Sequence, residues 1–219
     1  WWAAWAGGIG AIREVPGPQL AELLASRRSL APSVVWFYRG SARPQEHDQT
    51  GLCRDLQGVV ECYKVDCGAH QAVCERSNVK RYPAVMVVPT WPKPAVFSGL
   101  SPEFVLEAVR RSLRSRVVEA GAGFDPARDV DQDWAILLGS EEVPLFWTAL
   151  SSNKSTAGCR FFHAKDKAAK KVARSLKVPH KIPSVVLRHR VGASVQVEVY
   201  SGPLDLPSLR SWLLEDRGA

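Results

Sequence analysis

Residues 64–85, KVDCGAHQAVCERSNVKRYPAV, carry the decisive change of pattern in this chain. Lys64, Val65 and Asp66 close an apolar run, VVECYKV (59–65), whose β-branched and aromatic residues suit a strand. CGAHQAVCERSNV (67–79) then reads as a short helix, and Pro83 opens PAVMVV (83–88), a second strand. Upstream, AIREV (11–15) is a short strand candidate ended by Pro16. GPQLAELLASRR (17–28) reads as a helix with Pro18 in its first turn and Leu20, Leu23 and Leu24 on one face. VVWFY (34–38) is a buried strand, followed by a polar connection with no clear pattern. Downstream lie a strand, AVFSG (95–99), and a helix, SPEFVLEAVRRSLRSRV (101–117). Ser101 is its expected N-cap, Pro102 its first position, and Phe104, Val105, Ala108, Val109 and Leu113 its apolar stripe.

EAGAGFDPARD (119–129) breaks this pattern with Gly, Pro and charge, and past it the order recurs. WAILLG (134–139) is a buried strand, EVPLFWTALSS (142–152) a helix and CRFFHAK (159–165) a strand. DKAAKKVARSLKV (166–178) is a basic amphipathic helix with Ala169, Val172, Ala173 and Leu176 inward. IPSVVLRHR and VQVEVYSG form an antiparallel strand pair, the second alternating cleanly, and PLDLPSLRSWLLED closes with a helix. The expected fold class is α/β, two tandem units of a central mixed β-sheet with helices on both faces. The expected boundaries are a Trp-rich segment over 1–10, a first domain over 11–118, a linker over 119–133 and a second domain over 134–219.

The 64–85 segment resembles the thioredoxin-like domains of protein disulfide isomerases. That family shows a Val-Asp strand end, often with cysteine next, then a short helix and a V-x-x-Y/F-P element before a central strand. Val65-Asp66-Cys67, Cys74, and Val79 through Tyr82-Pro83 match it in turn. FSGLSPEFVLEAV (97–109) resembles the family's closing segment, with Phe97 in place of a tyrosine. In the second half VARSLKVPHKIPSVVL (172–187) and VYSGPLDLPSLRSWL (199–213) resemble the same elements more loosely. The resemblance implies cis peptide bonds before Pro83 and Pro183, in loops beside the redox site that offer backbone edges to an extended substrate. It also implies a structural disulfide between Cys67 and Cys74.

The five cysteines stand at 53, 62, 67, 74 and 159, and no two of them make a C-x-x-C pair. Cys53 and Cys62 are a second candidate bridge, and Cys159 has no cysteine partner in its half. A catalytic domain of this kind needs a thiolate at the N-terminus of the helix after the second strand, where the helix end lowers its pKa. Counting from Phe37-Tyr38 as the family does puts the two catalytic positions at Ala42 and Gln45, neither able to act as nucleophile or leaving group. The chain is therefore expected to be redox-inactive and not an enzyme. A lesser alternative is a thiol–disulfide oxidoreductase using Cys53 with Cys62. No metal and no cofactor is expected. Glu46, His47 and Asp48 are three adjacent residues that seldom converge, and His163, His180 and His189 lack ligand spacing. Asn153-Lys154-Ser155 is a glycosylation sequon that matters only in a secretory compartment.

The net charge of +7 is uneven, with ten Lys or Arg between residues 160 and 190 against one acid, Asp166. Lys165, Lys167, Lys170, Lys171, Arg174 and Lys177 form the expected basic partner face, fitted to an acidic protein surface or anionic lipid, with nucleic acid the least favoured partner. No apolar run reaches the ~20 residues that span a bilayer. The opening WWAAWAGGIGAI starts on Trp1, not on a methionine, and reads as the first ordered residues of a longer precursor and as an aromatic patch that a partner would cover. These features favour a binding or scaffold module, an accessory subunit of a larger assembly, organellar and membrane-associated. A disulfide-isomerase-like chaperone in the endoplasmic reticulum lumen is the alternative. Disulfides imply an oxidising compartment, either that lumen or the mitochondrial intermembrane space.

Overall fold

The computed structural model describes residues 12–26, 31–40, 46–89, 95–98, 100–121, 124, 132–179, 183–191 and 194–215. The chain divides into two units at Leu113/Arg114.

The first unit runs β1 (Arg13–Glu14), α1 (Gly17–Ser26), β2 (Ser33–Tyr38), α2 (Glu46–Asp55), β3 (Glu61–Asp66), α3 (Gln71–Arg76), β4 (Ala84–Val88), β5 (Val96–Ser98) and α4 (Pro102–Ser112). Its sheet has the order β1-β3-β2-β4-β5. The first three of these strands run parallel, and β4 and β5 run antiparallel to their neighbours. The continuous apolar run of β2 follows from its central place, since all its residues are buried and both faces are covered. Val35, Phe37, Val65, Cys67 and Met86 pack on that sheet with Leu20, Val73 and Cys74 from α1 and α3. The side chains of Leu23 and Leu24 lie outside the described residues. The polar connection after β2, unassigned from sequence, becomes α2.

The second unit repeats the topology: β6 (Val117–Glu119), β7 (Asp133–Leu138), α5 (Leu145–Ser152), a 3-10 turn (Lys154–Thr156), β8 (Cys159–Ala164), α6 (Asp166–Leu176), β9 (Ser184–Val191), β10 (Ser194–Val199) and α7 (Leu206–Glu215). Its sheet order, β10-β9-β7-β8-β6, is that of the first read from the other end. Ala169, Val172 and Ala173 of α6 face the sheet against Trp134, Ile136, Leu138, Phe162 and Val186.

Several expectations change. The helix expected over 101–117 ends at Ser112, where Leu113 turns extended (ψ 137°). Val117–Glu119, placed by sequence at the domain end and linker start, instead pairs parallel with Phe161–His163. The β-branched Val117 and Val118 take the open edge of the second sheet, so that unit begins there and not at 134. Phe124, in the expected linker, sits in its core with ring centroids 4.8 Å from Phe162 and 5.9 Å from Trp134. Phe104, expected in the stripe of α4, is 65% exposed, because Val105 and Val109, four apart, set the inward line and Phe104 falls beside it. Ser101 occupies the N-cap position without a side-chain capping bond. Its hydroxyl donates instead to Glu103, whose carboxyl is held below its ordinary value first by its own backbone N–H and then by Ser101.

Candidate binding site beside the cis-proline

The C-terminal ends of β2 and β3 and the start of β4 converge at one end of the first sheet. The N–H of Cys67 donates to the carbonyl of Tyr38 at 2.8 Å, extending the β2–β3 ladder by one step. The chain then turns, with the N–H of Gly68 donating to Asp66 Oδ1 at 2.8 Å. A disulfide joins Cys67 to Cys74 across seven positions and fixes the turn to α3. A second joins Cys53 on α2 to Cys62 on β3 across nine. All four sulfur-bearing residues are buried. Closing loops this short stabilises each by about 2–3 kcal/mol, chiefly by restricting the unfolded chain. After α3, Asn78 adopts φ 58°, and the chain reaches β4 through a cis Tyr82–Pro83 bond. Arg81 is exposed and Tyr82 and Pro83 are half-buried, with Tyr82 packed against the core. Ala42 and Gln45, the positions facing that loop in the family pattern, lie outside the described residues, as do the side chains of Glu46, His47 and Asp48.

Beside the site, the outer edge of the same sheet carries a polar network. Tyr63 donates to Glu61 Oε2 at 2.7 Å and accepts from Arg13 Nη2 at 3.3 Å, with the guanidinium 5.2 Å from the ring centroid. Burial, and then the bond to Glu61, push the phenol of Tyr63 above its ordinary value. On the other face Tyr38 donates to Glu14 Oε1 at 3.1 Å, and Lys64 pairs with the same carboxylate at 3.8 Å. Tyr63 and Glu61 meet because they are two apart on one strand, whereas the parallel register is what sets Arg13 beside Tyr63 and Glu14 beside Lys64.

The equivalent end of the second sheet is built differently. Gly139 takes φ 86° after β7, and the Ser140 hydroxyl donates to the carbonyl of Glu142 at 2.7 Å. Buried His163 on β8 lies with Nε2 2.9 Å from both the hydroxyl and the carbonyl of Ser140. A carbonyl only accepts, so Nε2 carries the proton, and the imidazole cannot serve as base toward that hydroxyl. The pair locks the turn. The peptide bond before Pro183 involves residue 182, outside the described residues, as is His180. His189 is buried against Glu198 Oε1 at 3.0 Å. Among the described residues no group of three or more His, Cys, Asp or Glu could hold a metal ion. Cys159 is buried on β8 in no disulfide. Asn153 is buried, and its Oδ1 accepts both the N–H and the hydroxyl of Ser155 at 2.9 Å.

Lys167, Lys170, Lys171, Arg174 and Lys177 are exposed on the outer side of α6, opposite the Ala169–Val172–Ala173 stripe. Lys165 is also exposed but pairs with Glu119 at 3.5 Å. Arg188, counted among the same basic residues, is buried in β9. No described helix is long and apolar enough to cross a membrane.

No family model matches the chain, and no curated protein matches it. Solved structures do. Full-length ERdj5 matches at a TM-score of 0.60 and 17% identity, over 93% of this chain and 32% of its own. A second ERdj5 structure, form I, gives 0.61 and 16%, over 94% and 30%. The fold is two tandem thioredoxin-like domains. Identities this low carry the fold alone, and the chain spans about a third of ERdj5.

Proposed function

We propose that this protein is a redox-inactive tandem thioredoxin-like module that binds protein partners rather than exchanging disulfides. The observation that carries the reading is the fate of the cysteines. Four are consumed in two buried bridges, and SARPQ (41–45) supplies no thiol after β2. Within this reading the chain is an accessory subunit of a larger assembly, docked through the exposed basic side of α6 on an acidic surface. A basic helix side with one acid, Asp166, at its start supports this choice. Charge reversal at Lys167, Lys170 and Lys171 should release partners that co-purify stoichiometrically with the native chain, while leaving its circular dichroism unchanged. Retention of every partner would remove the basic side from the account.

A second reading is a chaperone module of the disulfide-isomerase type, which the half-buried cis Tyr82–Pro83 loop favours. It predicts suppression of client aggregation with no dependence on cysteine. The oxidoreductase reading through Cys53 and Cys62 is disfavoured by the burial of both sulfurs, since exchange needs an accessible sulfur and an attacking thiolate. Two disulfides support an oxidising compartment, and we place the chain in the endoplasmic reticulum lumen; nothing found favours the mitochondrial intermembrane space.

A further inference from the structure

β10 ends the second sheet, and among the described residues it pairs only with β9. Edge strands are ordinarily blunted by charge, proline or a bulge. Here six residues pair with β9 without a break, from Ser194↔Val191 to Val199↔Val186. On one face Val195, Val197 and Val199 are 45%, 40% and 37% exposed. The same three residues also own the open backbone edge. The N–H of Tyr200 donates to the carbonyl of Val185 at 2.9 Å, so Tyr200 sits in a hydrogen-bonded pair with β9. Inward and outward positions alternate along an antiparallel strand, which turns the N–H and C=O groups of Val199, Val197 and Val195 outward.

The sequence over these positions, Val195-Gln196-Val197-Glu198-Val199, is nearly the same read in either direction. We propose that β10 pairs antiparallel with β10 of a second copy of this chain, about a two-fold axis through Val197. In that register Val197 meets Val197 of the second copy, and Val195 meets its Val199. All are outward-facing positions, so the hydrogen-bonding parity is correct without adjustment. On the opposite face Gln196 meets Glu198 of the second copy, a carboxamide donor against a carboxylate. That carboxylate is already held by His189 at 3.0 Å. No like charges face each other. Arg188 and Arg190, opposite Val197 and Val195 on β9, stay three strand spacings from their counterparts. That is about 14 Å, beyond the ~8 Å screening length at physiological salt. A strand of unrelated sequence could satisfy the backbone, but it would not explain the symmetry of this one. The result is a ten-stranded sheet with an isologous junction.

The test uses the full chain. An edge junction of this length lies at the small end of specific interfaces, so sedimentation equilibrium over roughly 1–300 μM should show a dimer with micromolar dissociation constant. Val197→Lys brings two ammonium groups together across the axis and should weaken the dimer at least about tenfold with an unchanged fold by circular dichroism. Cα atoms of a hydrogen-bonded antiparallel pair lie about 5.5 Å apart, within disulfide range. In a Cys159→Ser background, Val197→Cys should therefore cross-link to itself on oxidation. Val195→Cys should not, yet should link to Val199→Cys when the two are mixed. A chain monomeric throughout overturns the proposal, as does a dimer indifferent to Val197→Lys. So does a monomer whose β10 captures an unrelated strand-forming peptide.

Discussion

The two units share one topology and are held together by different means. The first carries both disulfides, and its α3 is six residues long and stapled by Cys67–Cys74. The second has no disulfide among its described residues and buries a larger aromatic cluster instead. Trp134 and Phe162 meet edge-on at 6.3 Å, and Trp147 meets Phe161 at 5.1 Å. The comparison teaches that this fold accepts either covalent restriction of the unfolded chain or aromatic burial of the native one. Both contribute a few kcal/mol, which matters because whole domains are stable by only about 5–15 kcal/mol.

The comparison can be broken most severely at Trp147. Its ring is fully buried and its Nε1–H donates to the carbonyl of Phe162 at 2.9 Å. Trp147→Ala should cost the second unit about 3–5 kcal/mol, read as a lower urea midpoint with faster amide exchange confined to residues after 113. Uniform loss across both units would contradict the separation. Next in size, Cys67→Ser with Cys74→Ser should cost the first unit about 2–3 kcal/mol. Exchange should rise in β3 and α3 and leave β7–β9 untouched.

Arg116 sharpens the contrast on a smaller scale. Its guanidinium donates to the carbonyls of Ser151 and Asn153, and its backbone N–H to Ser151 Oγ at 3.1 Å. It thereby satisfies the Ser151 carbonyl at the end of α5 and adds to the bonds that the Asn153 carbonyl already accepts from Thr156. Arg116→Ala should cost about 1–2 kcal/mol, and Arg116→Lys should recover only part, because an ammonium lacks the planar fork whose Nε and Nη2 reach the two carbonyls separately. The smallest effect is invisible at neutral pH. The phenol of Tyr63 is raised in the folded state, so folding favours its protonated form. Its contribution is complete below the unfolded value of about 10 and is lost as pH rises beyond it. Unfolding midpoints of the first unit should fall above that pH, and Tyr63→Phe should flatten the fall.

Much of this architecture was legible because each central strand is a continuous apolar run and each inward helix face repeats at three to four residues. VVWFY, PAVMVV and WAILLG could be little else. The boundary was misread because Arg114–Val118 continues the charge pattern of a helix, and only the parallel pairing of Val117–Glu119 with β8 reveals the strand. Phe104 was misread for a related reason, since an apolar residue adjoining a stripe looks like part of it. The clean alternation of β10 was read correctly as a strand, yet its valines face outward, because alternation gives the period and not which face is covered. The contacts of Arg13 with Tyr63 and of Ser140 with His163 carried no local signal; they join segments distant in sequence. The cis-proline and the Cys67–Cys74 bridge were inferred from a family resemblance, not from spacing.

The central claim, that this scaffold binds and does not exchange disulfides, is tested most directly by turnover of a fluorogenic disulfide peptide. The full chain should be assayed in a glutathione buffer beside its Cys53→Ser/Cys62→Ser variant. The account predicts that both proteins leave the buffer rate unchanged. Turnover by the native chain that disappears in the variant would contradict it, and would make the Cys53–Cys62 pair a redox centre.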